Sequence, residues 1–200
     1  MINVILDPLP VSFRGYPINT DFRVGIQISQ CLEDAHLSEG ERMGIAANLL
    51  FGYDGMTDIP EPEVIAEGVQ WFLSGWYTDR APEERKKKSI PICDFDVDQW
   101  RLYSAFLAQY RIDLSTAKMH YWAFMGLLST LNECAFTRVL DLRTQKPWRG
   151  MTPEQREAFK RQKHQYALVI EDEETEEERE ERERQVEAFL ANAKINRVKG

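Results

Sequence analysis

The chain is poor in the residues that build disulfide frameworks and metal centres. It has only three cysteines and three histidines among 200 residues. Cys31, Cys93 and Cys134 are far apart, odd in number and in no CxxC pair. A disulfide scaffold and a zinc site are therefore not expected, and a reducing compartment suits the chain. His36, His120 and His164 form no HxxxH or HExxH pair. No GxxxxGK[ST], GxGxxG or GxSxG phrase occurs, so neither a phosphate-cradling loop nor a nucleophile elbow is present. Together these absences argue against an enzyme, and no cofactor or metal is expected. No apolar run approaches the roughly 18–20 residues that cross a bilayer. The opening MINVILDPLP lacks the basic and apolar stretches of a signal peptide.

What is present begins with charge. The chain carries 33 acidic and 25 basic side chains, a net −8. Residues 171–184, EDEETEEEREERER, hold ten acids and three arginines, a net −7. The body is thus nearly neutral and offers no general basic surface for nucleic acid. Its 43% hydrophobic and 11% aromatic content is enough for a real core. The division expected is a helical body with an N-terminal hairpin, residues 1–166, and an acidic C-terminal helix as an appendage, residues 167–200.

Local signals make the chain mainly α. Val11 and Phe13 alternate before Arg14-Gly15, and Tyr16 and Ile18 follow, which predicts a short β-hairpin. Thr20 or Asp21 can cap a helix over about 22–33. Ser38 and Glu41 form a capping box for a second helix ending near Gly52. Pro60 and Pro62 introduce a third, with Ile65, Val69, Phe72, Leu73 and Trp76 on one side. Residues 78–92, with two prolines and the run ERKKKS, read as an exposed loop. Asp96 with Gln99 predicts a fourth helix whose stripe is Trp100, Tyr103, Leu107 and Tyr110, widened by Phe106. Ser115 or Thr116 opens a fifth, with Tyr121, Phe124, Leu128 and Leu131 on one face. The two are expected to pack as a central antiparallel hairpin. A short helical piece near 137–143 and the loop KPWRGM precede a helix over 153–166, capped by Thr152 with Gln155.

Asp94, Asp96 and Asp98 alternate and could hold a hard cation, but the plainer reading is a helix N-terminus, where carboxylates meet the positive end of the dipole. His120, set among aromatics, reads as a structural histidine. Arg85–Lys88 reads as a solvated loop. Most of the aromatic stripe from Trp100 to Leu131 must be core, yet a protein that binds a helical client needs an apolar groove. Trp76 and Trp148 lie near loops and are candidates for partner contacts. Val186, Phe189 and Leu190 make a single stripe at the end of the charged helix and are candidates to dock on a partner, the body or another copy.

Three phrases carry a family resemblance: GYPINTDFR, Gly15 to Arg23; DFDVDQWRLYSAFLAQYRIDL, Asp94 to Leu114; and MHYWAFMGLL, Met119 to Leu128, followed by a segment ending near Arg143. In order and spacing they resemble the "gene product fifteen" family of long-tailed phages, encoded between the major tail protein and the tape-measure protein. Tyr121 stands where a tryptophan is expected, and the acidic run lies outside the pattern. The resemblance implies a tail-assembly chaperone. It would bind the tape-measure protein, keep it soluble and leave as tail-tube subunits polymerise. It would act in the host cytoplasm and be absent from the mature virion, with tail-tube subunits and other copies of itself as further partners and no role for membrane or nucleic acid. In this reading the acidic segment supplies solubility and repels neighbouring copies. The alternative is a structural tail or connector subunit retained in the particle.

Overall fold

The computed structural model describes residues 3–52, 60–76 and 92–168. The run Arg85–Lys88, expected as a loop, and the expected acidic C-terminal helix lie outside the described residues.

Strands β1 (Ser12–Phe13) and β2 (Tyr16–Pro17) form the hairpin, with Phe13 opposite Tyr16. Arg14 and Gly15 both take positive φ, 48° and 89°, as a two-residue turn matched to strand twist requires. The hairpin rests on aromatic rings: Phe13 lies 5.0 Å from Trp71, and Tyr16 meets Phe51 edge-on.

Seven helices follow among the described residues: α1 (Phe22–Glu33), α2 (Glu39–Phe51), α3 (Pro62–Ser74), α4 (Gln99–Tyr110), α5 (Tyr121–Ser129), α6 (Ala135–Thr144) and α7 (Pro153–Tyr166). Their starts are set by local chemistry. Asp21 Oδ1 accepts the Arg23 N–H at 2.9 Å. Complete capping boxes, Ser38 with Glu41 and Thr152 with Gln155, open α2 and α7. Pro62 opens α3, where its missing N–H costs nothing. Gly52 ends α2 at φ 64°.

Helix α1 is the hub, packed on α2, α3 and α5, while α6 joins α4 to α7. Gly25 makes this possible: a Cβ there would come within 2.1 Å of the Tyr121 ring, so only glycine lets α5 approach. Phe22, Phe124 and Phe106 stack in sequence at 4.8 and 5.3 Å. The buried Trp122 indole donates to Phe72 O at 2.7 Å, satisfying the one polar atom of that ring.

Four expectations are corrected. Helix α4 begins after Asp98, not Asp96, because Asp94 Oδ1 accepts the N–H groups of Asp96 and Val97 and closes a turn there. Its inward face is Leu102, Ala105 and Phe106, whereas Trp100 is 73% exposed and Leu107 is exposed as well. Helix α5 begins at Tyr121 rather than near 116, since Asp113 Oδ1 takes the Ser115 hydroxyl and N–H into a turn. The chain from there is pinned to α1 instead: Phe22 N–H donates to Met119 O and Tyr121 N–H to Thr20 O. Finally, α4 packs most closely on α6 and α5 on α1. The two helices expected as a hairpin touch through side chains, Phe106 on Phe124 and Tyr110 Oη donating to Leu127 O.

Candidate functional site

An open apolar groove of about 510 Å³ runs between α1 and α4. Phe22, Ile26 and Gln30, four residues apart on α1, form one wall. Phe95 and Asp96 of the preceding turn and Gln99, Leu102 and Tyr103 of α4 form the other. Phe124 belongs to the floor, and Trp100 stands at the rim, edge-on to Tyr103 at 5.9 Å. Val97 and Ile92, also exposed, extend the apolar surface beside that turn.

Polar contacts hold both ends of the groove open. At one end Gln30 Nε2 donates to Asp96 Oδ2 at 2.9 Å. At the other, Arg23 lies over the Phe22 ring at 4.4 Å and donates to the carbonyls of Leu114, Ser115 and Ala117. Arg23 thereby fixes the loop after α4 against the start of α1. This accounts for an arginine following the GYPINTD phrase.

Behind the groove wall lies a buried ion pair. Asp98 is fully buried and Arg143 has a side chain 7% exposed. Arg143 Nη2 donates to Asp98 Oδ1 at 3.0 Å and Nη1 to Asp98 Oδ2, while Nη1 also reaches Ile92 O and Nε reaches Tyr166 O. Arg101 donates to the same Asp98 oxygen at 3.1 Å. One guanidinium therefore ties the 92–98 turn, α6 and the end of α7 together and holds α4 at the angle that shapes the groove.

The sequence-based site residues fare differently. Trp148 is 60% exposed in the loop between α6 and α7. Trp76 is half-buried and packs against the core. Neither lines the groove. Val186, Phe189 and Leu190 lie outside the described residues. The structure brings Ile26, Phe95 and Trp100, which sequence reasoning did not single out as site residues, together on the groove. The signal that could have found Trp100 is the spacing of Leu102, Ala105 and Phe106, an alternative inward face that leaves Trp100 outside.

The aspartate cluster is not brought together around a cation site. Asp98 turns inward to arginines, Asp94 closes its turn and Asp96 pairs with Gln30. Among the described residues no group of acidic, histidine or cysteine side chains could hold a metal. His120 is fully engaged, its Nε2 donating to Pro10 O at 3.0 Å and its Nδ1 accepting the Trp122 N–H. Burial depresses its pKa against a smaller opposing effect of the Pro10 bond. Burial, reinforced by the nearby Asp98 carboxylate, pushes the Cys93 thiol up to about 12. That thiol is protonated and unreactive at neutral pH. Among the described residues no helix is long and apolar enough to cross a membrane.

These features define a small, mainly helical domain with a glycine-enabled core and an open apolar groove. Residues 5–168 match the family model described as Bacteriophage Gp15 protein, and the chain belongs to that phage family. No curated protein and no solved structure matches it.

Proposed function

We propose that this phage protein is a tail-assembly chaperone that works by reversible binding rather than catalysis. Its client is the tape-measure protein, released as tail-tube subunits polymerise around it. It acts in the host cytoplasm and is absent from the finished particle. The observation that carries the reading is the α1–α4 groove with Trp100 at its rim, in a member of the Gp15 family. A helix laid in such a groove buries its apolar face, and an exposed tryptophan at the edge supplies an anchor of the kind that dominates binding energy, about 2 kcal/mol or more on truncation. A client rich in amphipathic helix would be kept from aggregating in this way.

Co-expression with the tape-measure protein of the same phage tests the proposal. A soluble complex is expected, lost when Ile26→Asp is placed in the groove. No complex and no gain in client solubility would overturn it. Mass spectrometry of purified particles separates the retained structural subunit from the departing chaperone, since a stoichiometric amount in the particle contradicts departure.

A further inference from the structure

The α1–α4 groove is apolar along its length and unevenly charged at its two ends. Its α1 wall, Phe22, Ile26 and Gln30, continues to Glu33, about three whole helical turns from Phe22 and so on the same face. Glu33 is exposed. Both Glu33 and Asp94 lie near enough to the Cys93 thiol to help raise its pKa, which sets Glu33 beside the turn that carries Asp96. Asp96 is exposed, and its partner Gln30 is a neutral donor that leaves its charge in place. Among the described residues neither Asp96 nor Glu33 makes an ion pair. The arginines of this region are engaged elsewhere: Arg101 and Arg143 face Asp98, and Arg42 donates to Leu37 O and Leu32 O. Trp100, in the first turn of α4, opens its ring to solvent at the same end. The opposite end differs. Arg23 is paired there with Asp21, and the chain 111–118 that it holds carries exposed Arg111 and Lys118 against Asp113.

Resting on the chaperone reading of this groove, we propose that the segment it receives is a basic amphipathic helix, with lysine or arginine at one end of its apolar stripe set against Asp96, Glu33 and Trp100. The wall from Phe22 to Gln30 is about 12 Å long at 1.5 Å per residue, so it covers about two turns of a docked helix. Apolar side chains at i, i+4 and i+7 fill that length. The apolar lining accepts such a stripe whatever charge flanks it, and the rim selects. A cation at the acidic end meets two carboxylates and the face of an exposed indole. An acidic flank meets like charge there. Arg111 and Lys118 repel a cation at the other end, so the same asymmetry fixes the direction in which the helix lies.

The test titrates the full chain into fluorescein-labelled helical peptides of about 18 residues, roughly 27 Å of helix, read by anisotropy. One peptide carries leucines at i, i+4 and i+7 with lysines beyond one end of the stripe. A second has glutamates in place of the lysines, and a third has serines in place of the leucines. At low salt the lysine peptide is expected to bind about tenfold or more tightly than the glutamate peptide, a ratio that should shrink to about threefold or less at about 0.5 M salt. The serine peptide should not bind. Asp96→Asn with Glu33→Gln keeps an acceptor for Gln30 and should make the two leucine peptides equal, while Asp96→Lys with Glu33→Lys should invert the preference. A photo-crosslinker at the lysine end should mark residues 92–99. Equal binding of both leucine peptides to wild type overturns the proposal, as does a crosslink to residues 111–118. A lysine preference that persists in the Asn/Gln variant also overturns it, since the acidic run 171–184 would then be the attractor. So does a wild-type dimer that excludes both peptides and is dissolved by Ile26→Asp, since the groove would then hold a second copy. Co-expression with the tape-measure protein is read separately. A client complex without a peptide preference leaves the chaperone reading standing and removes this inference, and a peptide preference without a client complex does the reverse.

Discussion

Replacing Arg143 with methionine is the most direct perturbation of the architecture behind the groove. The change keeps much of the side-chain volume and removes the charge that faces the fully buried Asp98. What remains for that carboxylate is Arg101, whose side chain is 33% exposed, and the Asp94 N–H at 3.3 Å. Breaking a buried pair by removing one member costs about 3–5 kcal/mol, because the partner charge is left in low dielectric. Arg101 as a fallback places the expected loss near the lower end, about 3 kcal/mol. Domain stability is only about 5–15 kcal/mol, so this is a large fraction. At roughly 2–4 °C per kcal/mol, the melting temperature should fall by about 6–12 °C. Urea titration and a thermal scan by circular dichroism measure both quantities. The double variant Asp98→Leu with Arg143→Met should regain part of the loss, since no charge is stranded. Recovery stays incomplete because Ile92 O and Tyr166 O also lose a donor. A single-variant loss below about 1 kcal/mol would refute the buried-pair reasoning, as would a double variant worse than the sum of its parts.

Further expectations follow from the same contacts. His120 is held neutral, with a folded pKa below 6.5, so the unfolded chain binds more protons as pH falls through that range. Stability should therefore be full above about pH 6.5 and decline below it. A His120→Gln variant should be less stable but flatter in a melting-temperature profile from pH 7 to 5. Cys93 should resist iodoacetamide at pH 8 in the folded protein and react at once in denaturant, as mass spectrometry of the labelled chain would show. Gly25→Ala should cost about 1–3 kcal/mol by forcing Tyr121 aside, visible in the urea midpoint. Trp100→Ala should change the melting temperature little, within about 0.5 kcal/mol for an exposed site, yet weaken client capture at least tenfold in a pull-down.

The outcome at the two ends of α4 shows how far the sequence reaches. The caps of α1, α2 and α7 and the Arg14-Gly15 turn were legible, because each is settled by a side chain and a backbone group within about three residues. The same reasoning misplaced the start of α4. Asp96 and Gln99 fit a capping box, but Asp98 and Asp94 are used differently once Arg143, forty-five residues away, is brought beside them. The face of α4 was ambiguous for a related reason. Trp100–Tyr103–Leu107 and Leu102–Ala105–Phe106 both satisfy helical spacing, and only the position of Phe124 selects the second.

By itself the sequence determined a mainly helical chain, its turn and cap chemistry, its membership of a phage family, and the separation of a nearly neutral body from an acidic run. Those properties rest on local hydrogen bonds, composition and word order, none of which needs a third dimension. The tertiary structure alone decided which aromatics are core and which are free. It turned Asp98 from a candidate ligand into half of a buried ion pair, and it opened a groove under Trp100. Burial, ion pairing and surface charge density are set by residues distant in sequence, so they become definite only when the helices pack.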